Sequence, residues 1–191
     1  MESEKENLTA QQSLDIITSM IRQVKGNFSS NSFYFLLWGW TITIANLGVF
    51  FMMRYTTVKE PNMIFGITII SAVISLIHGA RQSKRAQTKT VLDSVNMWLW
   101  IGYGILCFTF VAFGSKTNWQ INPIVITMAS VPTFVTGILL RFRPLMYGGA
   151  ALWAFGIVLF MLPADLQPLG AAIAIATGYL IPGYLLRKSD A

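Results

Sequence analysis

The sequence predicts an all-α integral membrane protein: six transmembrane helices, paired as three helical hairpins, behind an N-terminal cytoplasmic amphipathic helix. Three observations carry that prediction. Hydrophobic residues make up 54% of the 191 and charged ones only 12%, and the apolar residues gather into runs long enough to cross a ~30 Å hydrocarbon layer. Lys and Arg collect at alternate ends of those runs. Finally, Thr136-Gly137-Ile138-Leu139-Leu140-Arg141 returns near the end as Pro182-Gly183-Tyr184-Leu185-Leu186-Arg187, each copy closing an apolar run on a basic residue.

The stretch Met1-Glu2-Ser3-Glu4-Lys5-Glu6-Asn7 is acidic and lacks the basic-then-apolar order of a secretion signal, so no cleavage is expected. Thr9 as N-cap, with Gln12 three residues on to return a bond to it, starts a helix expected over about 9–25, ending before Gly26. Along it Leu14, Ile17, Ile21 and Val24 recur at alternating three- and four-residue steps, with Asp15, Thr18, Ser19 and Arg22 facing away. Too short and polar to span, this helix either lies flat on the inner membrane surface or docks on a partner protein or a second copy. Leu14, Ile17, Ile21 and Val24 are the candidate docking residues. Residues 1–30 are thus a cytoplasmic tail and 31–188 the membrane domain.

Six spans follow, at about 33–53, 63–80, 95–113, 121–140, 145–162 and 169–186, each near the ~20 residues that the bilayer demands. Tyr34, Trp38 and Trp40 put amphipathic rings at the start of the first, and Arg54 and Lys59 close it. Thr90 and Asp93 read as a cap for the third. Pro132 and Pro182 are expected to kink the fourth and sixth. Eleven cations, Lys5, Arg22, Lys25, Arg81, Lys84, Arg85, Lys89, Arg141, Arg143, Arg187 and Lys188, fall on one side, against Arg54, Lys59 and Lys116 on the other. The positive-inside rule then makes both termini cytoplasmic. The net charge of +6 serves orientation rather than nucleic-acid binding, and the basic loop of Arg81, Lys84, Arg85 and Lys89 is the candidate contact for anionic membrane lipids.

The three hairpins share further markers. Outward spans carry Leu37-Trp38 before Gly39, Leu99-Trp100 before Gly102 and Leu152-Trp153 before Gly156. Returning spans carry small residues every fourth position: Ser71, Ser75, Gly79; Ala129, Thr133, Gly137; Gly170, Ala174, Gly178. A threefold repeat about an axis along the membrane normal would produce this pattern, as would separate use of one packing rule.

No ionisable residue lies in mid-span, which argues against a proton or ion relay. Asp93 and Asp165 sit at span ends, and His78, the only histidine, is expected as an interfacial residue beside Arg81 rather than a metal ligand. Cys107, the single cysteine, reads as a buried hydrophobe. The chain shows no paired carboxylates, no Gly-x-Ser-x-Gly and no Walker-type loop, so neither an enzyme nor a cofactor is expected. Thr68, Ser71, Ser75, Thr127, Ser130 and Thr133 are uncharged polar groups expected to bond carbonyls one turn back or a neighbouring helix. Asn46 stands apart, because an amide does not satisfy itself easily within one helix, and it is the candidate for a polar path.

The layout resembles that of small uncharacterised six-span bacterial inner-membrane proteins. It does so through Leu8-Thr9-Ala10-Gln11-Gln12-Ser13-Leu14, Leu36-Leu37-Trp38-Gly39, Gly137-Ile138-Leu139-Leu140-Arg141-Phe142-Arg143-Pro144 and Ile181-Pro182-Gly183. Where that pattern has a polar residue after Ile-Pro-Gly, this chain has Tyr184. The resemblance implies a multi-pass protein of the bacterial inner membrane and carries over no catalytic or binding residue. Two functions are expected from the residues: an interaction or regulatory subunit docking a partner through its N-terminal helix, or an uncoupled transporter or channel for a small neutral or amphipathic molecule.

Overall fold

A computed structural model describes residues 10–85 and 91–189, with side chains over 31–82 and 92–189, and all its regular elements are helical. Helix α1 covers Ala10–Tyr55, and a 3-10 turn, Pro61–Gly66, leads into α2, Ile67–Arg85. Then come α3, Val91–Ala112, α4, Ile121–Leu139, and α5, Arg143–Met161. The last span is α6, Gln167–Ile175, a π turn at Ala176–Leu180 and α7, Ile181–Ser189. Six stretches are long and apolar enough to cross a membrane: Asn31–Tyr55, Pro61–Gln82, Leu92–Ala112, Ile121–Leu139, Arg143–Met161 and Gln167–Ser189. They match the expected spans to within about three residues because, in lipid, a helix must satisfy its own backbone over the whole hydrocarbon thickness.

Two expectations are corrected at the basic end. The helix expected to stop before Gly26 does not stop there: α1 is one unbroken helix of 46 residues. A single interior glycine costs a helix only about 1 kcal/mol, no proline lies within α1, and no described glycine adopts the positive φ of a helix-ending cap. Likewise the basic loop expected from Arg81 begins later, since α2 continues to Arg85. Thr9, Lys89 and Thr90 lie outside the described residues.

The spans divide into a core and a periphery. α1 packs along the whole of the last span, α4 packs on α5, and α5 packs on the last span. α2 leans on α1 and α3 on α4, without substantial contact between α2 and α3. In the apolar windows of α2 and α3 only 6% and 0% of residues are buried, against 39%, 44%, 33% and 56% in the other four.

Glycines allow the close approach of the central helices. In α5, Leu145, Leu152 and Leu159 form a fully buried row at seven-residue spacing. Leu152 fills the space left by the missing side chain of Gly178, and Leu159 that of Gly170. Between α4 and α5 the contacts are backbone to backbone: a Cβ on Gly149 would stand 2.7 Å from Phe134 N, and one on Gly137 2.7 Å from Met146 N. Gly156 meets Thr127 in the same antiparallel register farther along. Such backbone proximity maximises dispersion where the hydrophobic effect gives little. The pair is joined by a tight turn in which Arg141 takes the left-handed conformation, φ 52. There Phe142 N–H bonds the Gly137 carbonyl (2.9 Å) and Arg141 N–H that of Ile138 (3.0 Å), the Schellman pattern.

The two prolines act differently. Pro132 sits inside α4 without breaking it. Before Pro182 the helix widens into the π turn, in which Ile181 N–H reaches back five residues to the Ala176 carbonyl. A proline ring collides with the carbonyl four residues earlier in a regular helix, and widening that turn relieves the collision.

Candidate functional site

Polar side chains inside the spans gather in two main groups; apart from these, Trp40 Nε1 donates to the Tyr184 hydroxyl (3.0 Å) and Gln167 Nε2 to Gln120 Oε1 (2.8 Å), and one residue pair is left without full partners. The first group ties α2 to α1. Trp38 Nε1 donates to Ser75 Oγ (3.0 Å), and Thr41 and Ser71 hydroxyls bond each other at 2.6 Å. Tyr34 hydroxyl lies 3.4 Å from His78 Nδ1, and Phe33 stacks on the imidazole with centroids 4.1 Å apart. His78 is thus half-buried among aromatic rings. Among the described residues no cluster of three His, Cys, Asp or Glu side chains gathers there or elsewhere.

The second group ties α3 to α4 and α1. Thr136 hydroxyl accepts from Trp100 Nε1 (3.1 Å) and lies 2.7 Å from both Asn96 Oδ1 and the Pro132 carbonyl. Asn96 Nδ2 donates to Asn31 Oδ1 at 3.3 Å. Beneath it Phe35, Trp100 and Tyr179 meet edge to face, with centroids 5.3 to 6.2 Å apart, and Tyr103 adds a ring at 5.7 Å from Trp100. These contacts anchor α3, whose outer surface is otherwise unburied. The Trp38–Ser75 and Trp100–Thr136 bonds span 37 and 36 residues. Trp153, which follows the third Leu-Trp marker's leucine, is instead exposed and lines a shallow groove with Ser130 and Phe134.

Thr68, Thr127, Ser130 and Thr133 bond carbonyls three or four residues back in their own helices, at 2.6 to 2.7 Å. Asn46 does so only by half. Its Nδ2 donates to the Ile42 carbonyl (2.9 Å), while Oδ1, fully buried, has no hydrogen-bond partner. Thr43 Oγ1, one turn earlier, is buried and unpartnered too. Both lie on the side of α1 that faces the last span, since Gly39, four and seven residues before them, touches Leu180 and Tyr179. An orphaned buried acceptor costs about 1–3 kcal/mol, which makes this pair the least satisfied point of the core. Thr43 could have been found in sequence as the residue three before Asn46, on nearly the same helix face.

The remaining candidates fall at the basic end. Positions 14, 17, 21 and 24 belong to the part of α1 that precedes its span. Arg81 is exposed on α2, the backbone of Lys84 and Arg85 forms the last turn of that helix, and Lys89 lies outside the described residues. A groove of about 420 Å³ runs between α5 and α7, lined by Tyr147, Gly148, Ala151, Thr177, Pro182 and Leu185 among others. Asn46 lines neither groove. Comparison with models of protein families, with curated proteins and with solved structures gives no match, so function has to be read from the chain's own geometry.

Proposed function

We propose that this chain is a non-catalytic subunit of the bacterial inner (cytoplasmic) membrane, with both termini in the cytoplasm, which holds a protein partner through the first part of α1. The observation that carries this reading is the continuity of α1. Forty-six helical residues extend ~69 Å, more than twice the ~30 Å hydrocarbon thickness, and the 21 residues before the span account for ~31 Å of it. A helix rigidly continuous with a buried span transmits position, as an arm does, where a separate surface helix would not. The docking positions 14, 17, 21 and 24 share one heptad register with 28, 31, 35, 38, 42, 45 and 49, among which Phe35, Ala45 and Val49 are buried in the membrane core and position 31 is the polar Asn31.

The excess of Lys and Arg at the end where α1 enters supports the cytoplasmic assignment. The Trp38–Ser75 and Trp100–Thr136 bonds, spanning 37 and 36 residues, support a shared hairpin design in the first two pairs of spans. Deleting residues 1–26 is expected to abolish retention of the partner in gently solubilised membranes while leaving the thermal unfolding of the spans unchanged. Unchanged retention would remove the reading.

A second reading, an uncoupled path for a small neutral or amphipathic solute, is favoured by one observation: the unpaired Asn46 Oδ1 and Thr43 Oγ1 in the α1 interface with the last span. On that reading Asn46→Leu lowers solute flux in reconstituted vesicles, and equal flux counts against the path.

A further inference from the structure

We propose that the groove between α5 and α7 binds one anionic glycerophospholipid, with an acyl chain along the groove and the phosphate between Arg143 and Lys188. The groove lies on the outer surface of the bundle, where Tyr147, Ile181 and Leu185 are exposed, and its walls are mostly apolar. Its Thr177 hydroxyl donates within its own helix, to the carbonyls of Ile173 and Ala174 (3.0 and 2.9 Å), so among the lining side chains only the exposed Tyr147 carries another polar group.

The register of the two helices sets the cations over the groove. Gly148 brings α5 against α7, because a Cβ there would stand 2.7 Å from the Gly178 carbonyl and 2.8 Å from the Pro182 ring. Arg143 lies five residues before Gly148 and Lys188 six residues after Pro182, in antiparallel helices, so the two stand ~8 and ~9 Å above that contact. Arg143 is one turn above Tyr147, and Lys188 is one turn beyond Leu185 and two beyond Ile181, all groove-lining residues. Both cations are exposed, and among the described residues α5 and α7 carry no acidic residue, Asp190 lying outside the described residues. Tyr147, 71% exposed and one turn from Arg143, supplies an amphipathic ring near the mouth of the groove. The lining reaches down to Ala151, ~12 Å below Arg143, most of the depth of one ~15 Å leaflet. An acyl chain matches that shape, and a phosphate matches the pair of cations at its mouth.

The test uses the full chain in non-ionic detergent, titrated with dioleoyl phosphatidylglycerol or dioleoyl phosphatidylcholine, with bound lipids counted by native mass spectrometry. Two cations near the surface give about thirtyfold preference for the anionic lipid. Arg143→Gln with Lys188→Gln should erase the preference, Ala151→Phe should weaken both lipids by filling the groove, and Lys116→Gln at the opposite end should change nothing. Equal binding of the two lipids to the unmodified chain, or a preference that survives the paired Gln substitutions, overturns the proposal. So does an equal loss on Lys116→Gln, or displacement of the lipid by glycerol phosphate at similar concentration.

Discussion

Replacing Gly149 by Ala tests the backbone packing of α4 on α5. A Cβ at that position would lie 2.7 Å from Phe134 N and 2.9 Å from Phe134 Cα, where ordinary contact begins at 3.4 Å. Backbone atoms in a helix cannot swing aside, so the helices must part by about 0.7 Å, a gap that forfeits about a quarter to a half of the dispersion energy of each facing pair. Alanine itself favours helix over glycine by about 0.5–1 kcal/mol. The overpacking cost prevails, and the expected net loss is about 2 kcal/mol. Gly102 on α3 provides the control, since a Cβ there meets nothing within 4 Å. Gly102→Ala should therefore be neutral or stabilise by up to about 1 kcal/mol. Adding Gly137→Ala to Gly149→Ala should cost less than the two separate losses, because one parting of the helices serves both. Detergent-titrated unfolding read by tryptophan fluorescence measures all four. Equal effects at Gly149 and Gly102, or a more stable Gly149→Ala protein, would refute the account of this interface.

Three other experiments bear on separate parts of the structure. Thr136→Val removes the acceptor for Trp100 and a partner of Asn96, and the same unfolding titration should read a loss of about 1–2 kcal/mol, above the ~0.6 kcal/mol expected for Ser71→Ala on α2. Arg141→Gly relieves a non-glycine residue at φ 52 and should raise stability by about 1 kcal/mol in that assay. Spin labels replacing Gln12 and Trp40, in a Cys107→Ser background, should be ~42 Å apart along an unbroken α1, whereas a right-angled break at Gly26 would leave ~30 Å.

Much of the fold was legible because hydropathy dominates in a membrane protein: each span was placed to within about three residues. Which spans lie at the centre was not legible. The second span has the highest mean hydropathy of the six and is nearly unburied, because lipid and protein interior are equally apolar and composition does not separate them. What separates them is small-residue contact, as at Gly137, Gly149 and Gly178, and that depends on which partner each helix meets. Gly26 misled for the opposite reason, since a lone glycine is a weak stop signal without a reversal after it. Asn46 was legible as an amide that one helix does not satisfy, but the missing partner for its oxygen emerges only from the packing. The α5–α7 groove had no sequence signal at all, because it exists through the meeting of Gly148 with Gly178 and Pro182, some thirty residues away.

The central claim is that the first part of α1 holds a partner, and its most direct test is the mass of the intact particle. Native mass spectrometry on gently extracted membranes should find the full chain in a heteromeric complex. The same chain with Leu14, Ile17, Ile21 and Val24 all replaced by Ser should run at its own mass, with the spans still folded. An identical particle from both chains would contradict the claim.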